Sequence, residues 1–249
     1  MSNFYNLNNN LPDNYRNYKI NNISSKAVVF DLDETLGTFF QFSLIIDCIE
    51  KNFEKKLNQS EFNILLDNFI EYLRPNILNI LFHLKNEKIN NSSFRVLIFT
   101  NNQGPKDWAN KIKNYFNNKL NYKLFDQIIG AYMIGNTQRE SLRTSHDKSY
   151  NDLLACANIS YQSKICFIDD LYHNQMQNKN VSYIHVFPYE KILSKSTIKK
   201  KLNFLFNSYK LDNIIDYTDL NPYHSSNKNH NHNHEGKKIL IKILQFLKY

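Results

Sequence analysis

The chain has 249 residues and a mass of 29.6 kDa, enough for one α/β domain with additions or for two small domains. A net charge of +8 and a pI near 9.2 favour anionic partners (phosphoproteins, nucleotides, nucleic acid) without choosing among them. With 42% apolar and 22% charged residues the chain reads as globular rather than disordered. Residues 1–25 lack an apolar signal-peptide core, and no run approaches the roughly 18 apolar residues of a membrane-spanning helix, so a soluble, intracellular protein of cytoplasm or nucleus is expected. Cys48, Cys156 and Cys166 are odd in number and form no CxxC, which argues against a disulfide framework. Asparagine makes up 39 residues, about a sixth of the chain, so a lone Asn carries little functional weight.

Residues 1–24 are polar and Asn-rich and read as a loose arm. Folded structure is expected from Lys26-Ala-Val-Val-Phe30, a short apolar run of the kind buried in parallel sheets. Residues 40–72 form an insertion with helical periodicity: Phe42, Ile45 and Ile49 share one helix face, and Leu65, Phe69 and Leu73 share another. Asn58 and Glu61 have the spacing of an N-cap and its N3 partner. These two helices read as covering helices on the core edge, or as a small cap over a site. Further apolar runs predict strands at Arg95–Thr100, Lys164–Asp169 and Tyr183–Phe187, with a weaker candidate at Gln127–Ile134. Helices are predicted over Leu73–Lys85, Pro105–Tyr115 and Ser149–Ala157, with Pro105 suited to a first turn. The alternation predicts an α/β fold, a Rossmann-like, doubly wound and mostly parallel sheet with a small helical insertion after the first strand. In such sheets ligands bind beyond the carboxyl ends of the strands.

Those ends carry the candidate chemistry. The first strand runs into Asp31-Leu-Asp33-Glu-Thr35, two carboxylates that repel unless a cation lies between them. A hard divalent ion, Mg²⁺, suits such an oxygen-rich pair. An Asp-x-Asp-x-Thr/Val run behind four apolar residues arises by chance in roughly 0.2% of chains this long, so the motif is specific. The second strand ends in Thr100-Asn-Asn-Gln-Gly104 ahead of a helix, where a hydroxyl and backbone N–H groups make a phosphate cradle from Thr100 and Asn101. Lys148 precedes the next helix, and a fourth strand runs into Asp169-Asp170.

Carboxylate pair, hydroxyl, lysine and second carboxylate pair, in that order over residues 26–190, resemble the four motifs of the haloacid dehalogenase (HAD) superfamily of phosphohydrolases. Asp31-Leu-Asp-Glu-Thr-Leu36, with Tyr72-Leu-Arg-Pro75 upstream of the Thr100 strand, looks like its FCP/SCP branch of protein Ser/Thr phosphatases, which act on the RNA polymerase II C-terminal domain and other phosphoproteins. The resemblance implies that Asp31 is a nucleophile forming an aspartyl-phosphate and that Asp33 is the general acid and then base. It implies that Thr100, Asn101 and Lys148 hold the phosphoryl oxygens, and that Asp31, Asp33 (through its carbonyl), Asp169 and Asp170 hold Mg²⁺. Thr100-Asn-Asn-Gln-Gly104 is nearer the pattern of polynucleotide 3′-phosphatases and histidinol-phosphate phosphatases, so a nucleic-acid end or a small molecule is the alternative substrate. A non-catalytic phosphate-binding scaffold is the alternative of a different class.

From Thr35 to Thr100 is 65 residues and from Thr100 to Lys148 is 48, too few for a full second domain in either gap. Family members with little cap tend to accept macromolecular phosphates, so a phosphorylated macromolecule is the expected partner, protein ahead of nucleic acid. His173 and Asn174, after the acidic pair, read as a surface loop or the mouth of the site. The domain is expected to span 25–220, with a His/Asn-rich linker at 221–236, where Asn229–Glu235 offers a transition-metal alternative. A basic, apolar helix at 237–249 is expected to dock on the domain, with a membrane-surface or partner-binding role as the alternative.

Overall fold

The computed structural model describes residues 25–105, 107–206 and 230–248. The N-terminal arm, residues 207–220 of the expected domain and 221–229 of the expected linker lie outside them. The described chain runs β1 (Lys26–Phe30), α1 (Phe40–Asn52), α2 (Gln59–Asn68), α3 (Ile77–Asn90), β2 (Arg95–Phe99), α4 (Trp108–Leu120), β3 (Gln127–Ile129), β4 (Met133–Ile134), β5 (Thr137–Gln138), α5 (Tyr150–Ala157), β6 (Lys164–Asp169), β7 (Val181–His185), α6 (Lys195–Phe206) and α7 (His232–Lys248).

Five strands form a parallel sheet in the order β3-β2-β1-β6-β7, flanked by helices in a Rossmann-like arrangement. Strand order reverses at β1, so the crevice of this topology opens at the carboxyl ends of β1 and its neighbours β2 and β6. Both sheet faces are buried, which is why β1, β2 and β6 appear in the sequence as unbroken apolar runs. Val28 and Phe30 point into a large core shared with α1–α4, α6 and α7, while Ala27 and Val29 join a smaller one under α5.

Both insertion helices form, with Phe42, Ile45 and Ile49 buried on α1, but α2 stops at Asn68, so Phe69 and Leu73, expected to share its face with Leu65, lie beyond it, where Ile70–Tyr72 tighten into a single 3₁₀ turn. Asn58 caps α2 by accepting from Glu61 N–H, and the Glu61 carboxylate accepts from Asn58 N–H. Phe42 packs against Phe62, Phe69, Tyr72 and Trp108 with ring centroids 5.6–6.3 Å apart, so α1 and α2 belong to the core.

Several boundaries differ from expectation. The third helix starts at Ile77, not Leu73, because Pro75 disfavours a helical Arg74 and Leu73 bridges Gly37 across the β1 loop. The fourth starts at Trp108, three residues past Pro105. Gln127–Ile134 is not one strand: pairing with β2 stops at Ile129, and Met133–Ile134 turns back on Thr137–Gln138 through Gly135, whose φ is +55°. The last strand is Val181–His185, two residues ahead of the expected Tyr183–Phe187. The C-terminal helix starts at His232, inside the expected linker, and buries Ile239 and Ile243. Gly236 lets α7 cross Pro75 closely, since a Cβ there would lie 2.3 Å from the Pro75 carbonyl oxygen. Among the described residues no helix is long and apolar enough to cross a membrane.

Candidate active site

Where β1 ends, the ladder hands the chain directly into the site. Asp31 N–H still bonds Ile168 O at 2.9 Å, which holds Asp31 rigidly at the strand end. The loop then folds back: Leu36 N–H bonds Leu32 O at 3.0 Å, and Glu34 turns the chain at a φ of 59°. Arg74, fully buried, holds this loop from behind by donating through Nε to Thr35 O at 2.6 Å and through Nη2 to Glu34 O. Gly37 is required here, because a Cβ would meet Tyr72 O at 2.5 Å.

Lys148 Nζ lies between the two acidic strand ends. It donates to Asp31 Oδ1 and, at 2.7 Å, to Asp169 Oδ2, and all three side chains are buried. Asp169 Oδ1 in turn accepts from Leu171 N–H at 2.8 Å. Asp170 accepts from Thr35 Oγ1 at 3.0 Å, and its N–H bonds that same oxygen at 3.2 Å, tying the ends of β1 and β6 together. Asp31, Asp169 and Asp170 each offer a carboxylate oxygen within 4.8 Å of the other two. Asp33 is not part of this trio. Its Oδ2 accepts from Asn102 Nδ2 at 2.6 Å, so its carboxylate faces the β2 loop.

That loop is organised by Asn102, whose N–H bonds Thr100 Oγ1 at 3.0 Å and whose Oδ1 accepts from Gly104 N–H at 2.9 Å. The Thr100 hydroxyl accepts this bond and keeps its own proton to donate. The Asn101 side chain turns to Arg143, its Oδ1 accepting from Arg143 Nη1 at 2.8 Å, which leaves the backbone N–H as the group of Asn101 expected to meet a phosphate. Arg143 is buried over the Phe99 ring and also donates to the carbonyls of Gly130 and His146 at 2.8 and 3.0 Å. One guanidinium thereby fixes the β2 loop, the end of β3 and the approach to Lys148. The sequence offered no signal for Arg143, which sits in a polar stretch without periodicity. Asn102 was visible only as a member of the Thr100–Gly104 run. His173 is buried rather than part of a surface loop, and its Nε2 lies 3.6 Å from Asp169 Oδ2.

A cleft of about 480 Å³ opens beside Asp33 and is lined by Phe39, Phe40, Asn102, Gly104 and Trp108, among others. Only the first turn of α1 reaches it; the rest of α1 and α2 packs into the core.

Electrostatics give the site its character. Burial pushes Asp31 up from the usual carboxylate range; Lys148 opposes this, and Asp169 adds to it. Burial likewise raises Asp169. Asp33 is raised to about 6 by burial against the opposing Asn102 bond, and Asp170 to about 7 by burial and the Asp31 charge. Burial pulls the Lys148 ammonium down, yet Asp31 and Asp169 outweigh it and leave it raised. Three ionised carboxylates against one ammonium leave two negative charges uncompensated, the charge of one divalent cation. An all-oxygen donor set suits a hard ion.

The raised carboxylates make the metal-free protein pH-sensitive. A folded state that binds protons more tightly than the unfolded chain loses stability as pH rises through the interval between the two pKa values. For Asp33 and Asp170 that interval runs from 3.8 to about 6 and about 7. In EDTA the melting temperature is therefore expected to fall between pH 4.5 and 7.5, and less so in Asp170→Asn. A wild type and Asp170→Asn that decline in parallel would contradict this origin.

The chain matches no protein-family model and none of the curated proteins with which it was compared.

Proposed function

We propose that the chain is a Mg²⁺-dependent phosphomonoester hydrolase of the HAD type that works through an aspartyl-phosphate on Asp31. Its proposed substrate is a phosphoserine or phosphothreonine in a protein. The observation that carries this reading is the convergence of Asp31, Lys148, Asp169 and Asp170 at the strand-order reversal, with Thr100 ending the adjacent strand. Phosphoryl transfer requires little from a protein beyond positioning and positive charge around three oxygens; the cluster supplies the positioning and the Lys148 ammonium, and its surplus carboxylates would seat the cation that supplies the rest of the charge.

In the proposed reaction Lys148 holds Oδ1 of Asp31, and Oδ2 attacks phosphorus. The bond from phosphorus to the substrate oxygen breaks, and Asp33 gives that oxygen its proton. A carboxyl raised to about 6 still carries a proton at mildly acidic pH, as a general acid must. Asp33, now a carboxylate, takes a proton from water as the water oxygen attacks the phosphoenzyme. Phosphate leaves and Asp31 is regenerated. Asn102 orients Asp33 throughout, and the Thr100 hydroxyl donates to a phosphoryl oxygen. Carboxylates Asp31 and Asp170, with the Asp33 carbonyl and Asp169 beside them, would hold Mg²⁺. The ion's contribution is to shield the approach of an anionic carboxylate to an anionic phosphate.

The cleft beside Asp33, walled by Phe39 and Trp108 and open to solvent at exposed Phe40, favours a phosphate carried on an extended chain over a fully enclosed metabolite. Hydrolysis of an aryl phosphate is expected with Mg²⁺ and is expected to vanish in EDTA. Among natural esters a phosphoserine peptide is expected to turn over faster than a 3′-phosphorylated oligonucleotide, and the reverse order would transfer the assignment to nucleic-acid ends. Absence of turnover on all three substrates would favour a phosphate-binding scaffold.

A further inference from the structure

The geometry points to a second metal site, of the zinc class, made by His230, His232 and Glu235 where α7 begins. It is about chemistry unlike that of the carboxylate trio: two imidazoles and one carboxylate are the ligands of a borderline-soft transition metal, not of Mg²⁺.

His230 Nε2 lies 3.0 Å from Glu235 Oε2, and His232 Nδ1 lies 3.6 Å from the same oxygen. One ligand atom from each of the three side chains falls within 4.8 Å of the other two. Bonds of about 2.0–2.2 Å in a tetrahedron separate ligand atoms by about 3.3–3.6 Å, so small shifts seat an ion. His232 Nδ1 is buried and has no hydrogen-bond partner, a cost that a bound cation removes. The rings are already oriented. His230 stacks on Phe187 with centroids 4.0 Å apart, and His232 meets Tyr189 edge-on at 4.9 Å.

Glu235 is itself fixed, as ligating carboxylates commonly are. Its Oε1 accepts from Phe187 N–H at 2.8 Å and its Oε2 from Arg74 Nη1 at 3.2 Å. Arg74 brings a positive charge close to the ion, which weakens binding but leaves a lone pair on Oε2 available. Three protein ligands leave a fourth position for water. An ion here would pin the start of α7 to the segment after β7, behind the loop that Arg74 holds.

The test uses the full chain expressed without a histidine tag and stripped of metal, titrated with Co²⁺ and then Zn²⁺. Wild type is expected to show the intense visible bands of four-coordinate Co²⁺ at one equivalent, displaced by Zn²⁺, and Zn²⁺ is expected to raise its melting temperature. His230→Gln and His232→Gln are expected to weaken Co²⁺ binding at least tenfold and to lose the Zn²⁺-induced rise, with circular dichroism verifying that each is folded. Asp170→Asn and His234→Gln, the latter on an exposed neighbour, are expected to keep both. Wild type without the bands, His232→Gln with unchanged affinity, or loss of the bands in Asp170→Asn or His234→Gln would each overturn the assignment. Because the readout is spectroscopic, the outcome is independent of whether the carboxylate site hydrolyses phosphate.

Discussion

Asp31→Asn is expected to lower kcat at saturating Mg²⁺ by at least about 10⁴-fold, equivalent to about 5.5 kcal/mol of transition-state stabilisation. The amide keeps the shape of the side chain but has no anionic oxygen to attack phosphorus, so the covalent route closes. Stability is expected to change little. The substitution removes a carboxylate that burial already disfavours, and Lys148 keeps its partner Asp169 at 2.7 Å. A melting temperature within a few degrees of wild type, measured beside steady-state hydrolysis of an aryl phosphate, separates this result from unfolding. Acid quenching during turnover should trap one phosphoryl group on the wild-type chain, mapped by mass spectrometry to Asp31 and missing from the variant. A folded Asp31→Asn protein that retains a tenth of wild-type activity would refute the mechanism.

The second large effect belongs to Lys148, and it should appear in stability as well as in rate. Lys148→Met removes the ammonium from between Asp31 and Asp169, leaving buried like charges face to face. Breaking a buried ion pair from one side costs about 3–5 kcal/mol. For a chain of this size that corresponds to a fall in melting temperature of roughly 6–20 °C. Turnover is expected to fall by about 10²–10³-fold, because the phosphoryl oxygens lose a preorganised cation. Lys148→Met/Asp169→Asn should recover part of the lost stability by deleting one surplus charge, but none of the lost rate. A non-additive cycle of this kind is the mark of directly interacting groups. A single variant that melts with the wild type would show that Lys148 is not the counter-ion of this cluster.

Much of this site was legible in the sequence because of what a doubly covered parallel sheet demands. β1, β2 and β6 have no solvent face, so each appears as a continuous apolar run, and polar residues at its end stand out. Asp31, Thr100 and Asp169 were found that way. One local rule also carried through: Asn58 with Glu61 makes the capping box, whereas the Ser149 cap of α5, accepting from Asp152 N–H at 3.0 Å, emerged only in the structure. Arg143 and Asn102 escaped because their function is to bond backbone and side chains distant in sequence. Arg143 reaches Asn101, 42 residues away, and Asn102 reaches Asp33, 69 residues away. No periodicity encodes such reach.

Sequence alone therefore determined which strands are buried and which side chains stand at their ends, since both follow from local burial and spacing. Only the tertiary structure decided that β1 lies between β2 and β6, so that carboxylates 138 residues apart share one ammonium and tolerate one another. It likewise decided that α7 begins at His232 and buries Ile239 and Ile243, so that a histidine-rich tract reading as linker folds its imidazoles around Glu235. The physical reason is common to both: a charge or an imidazole acquires its role from neighbours brought near by packing, and packing is decided by the whole core rather than by any window of the chain.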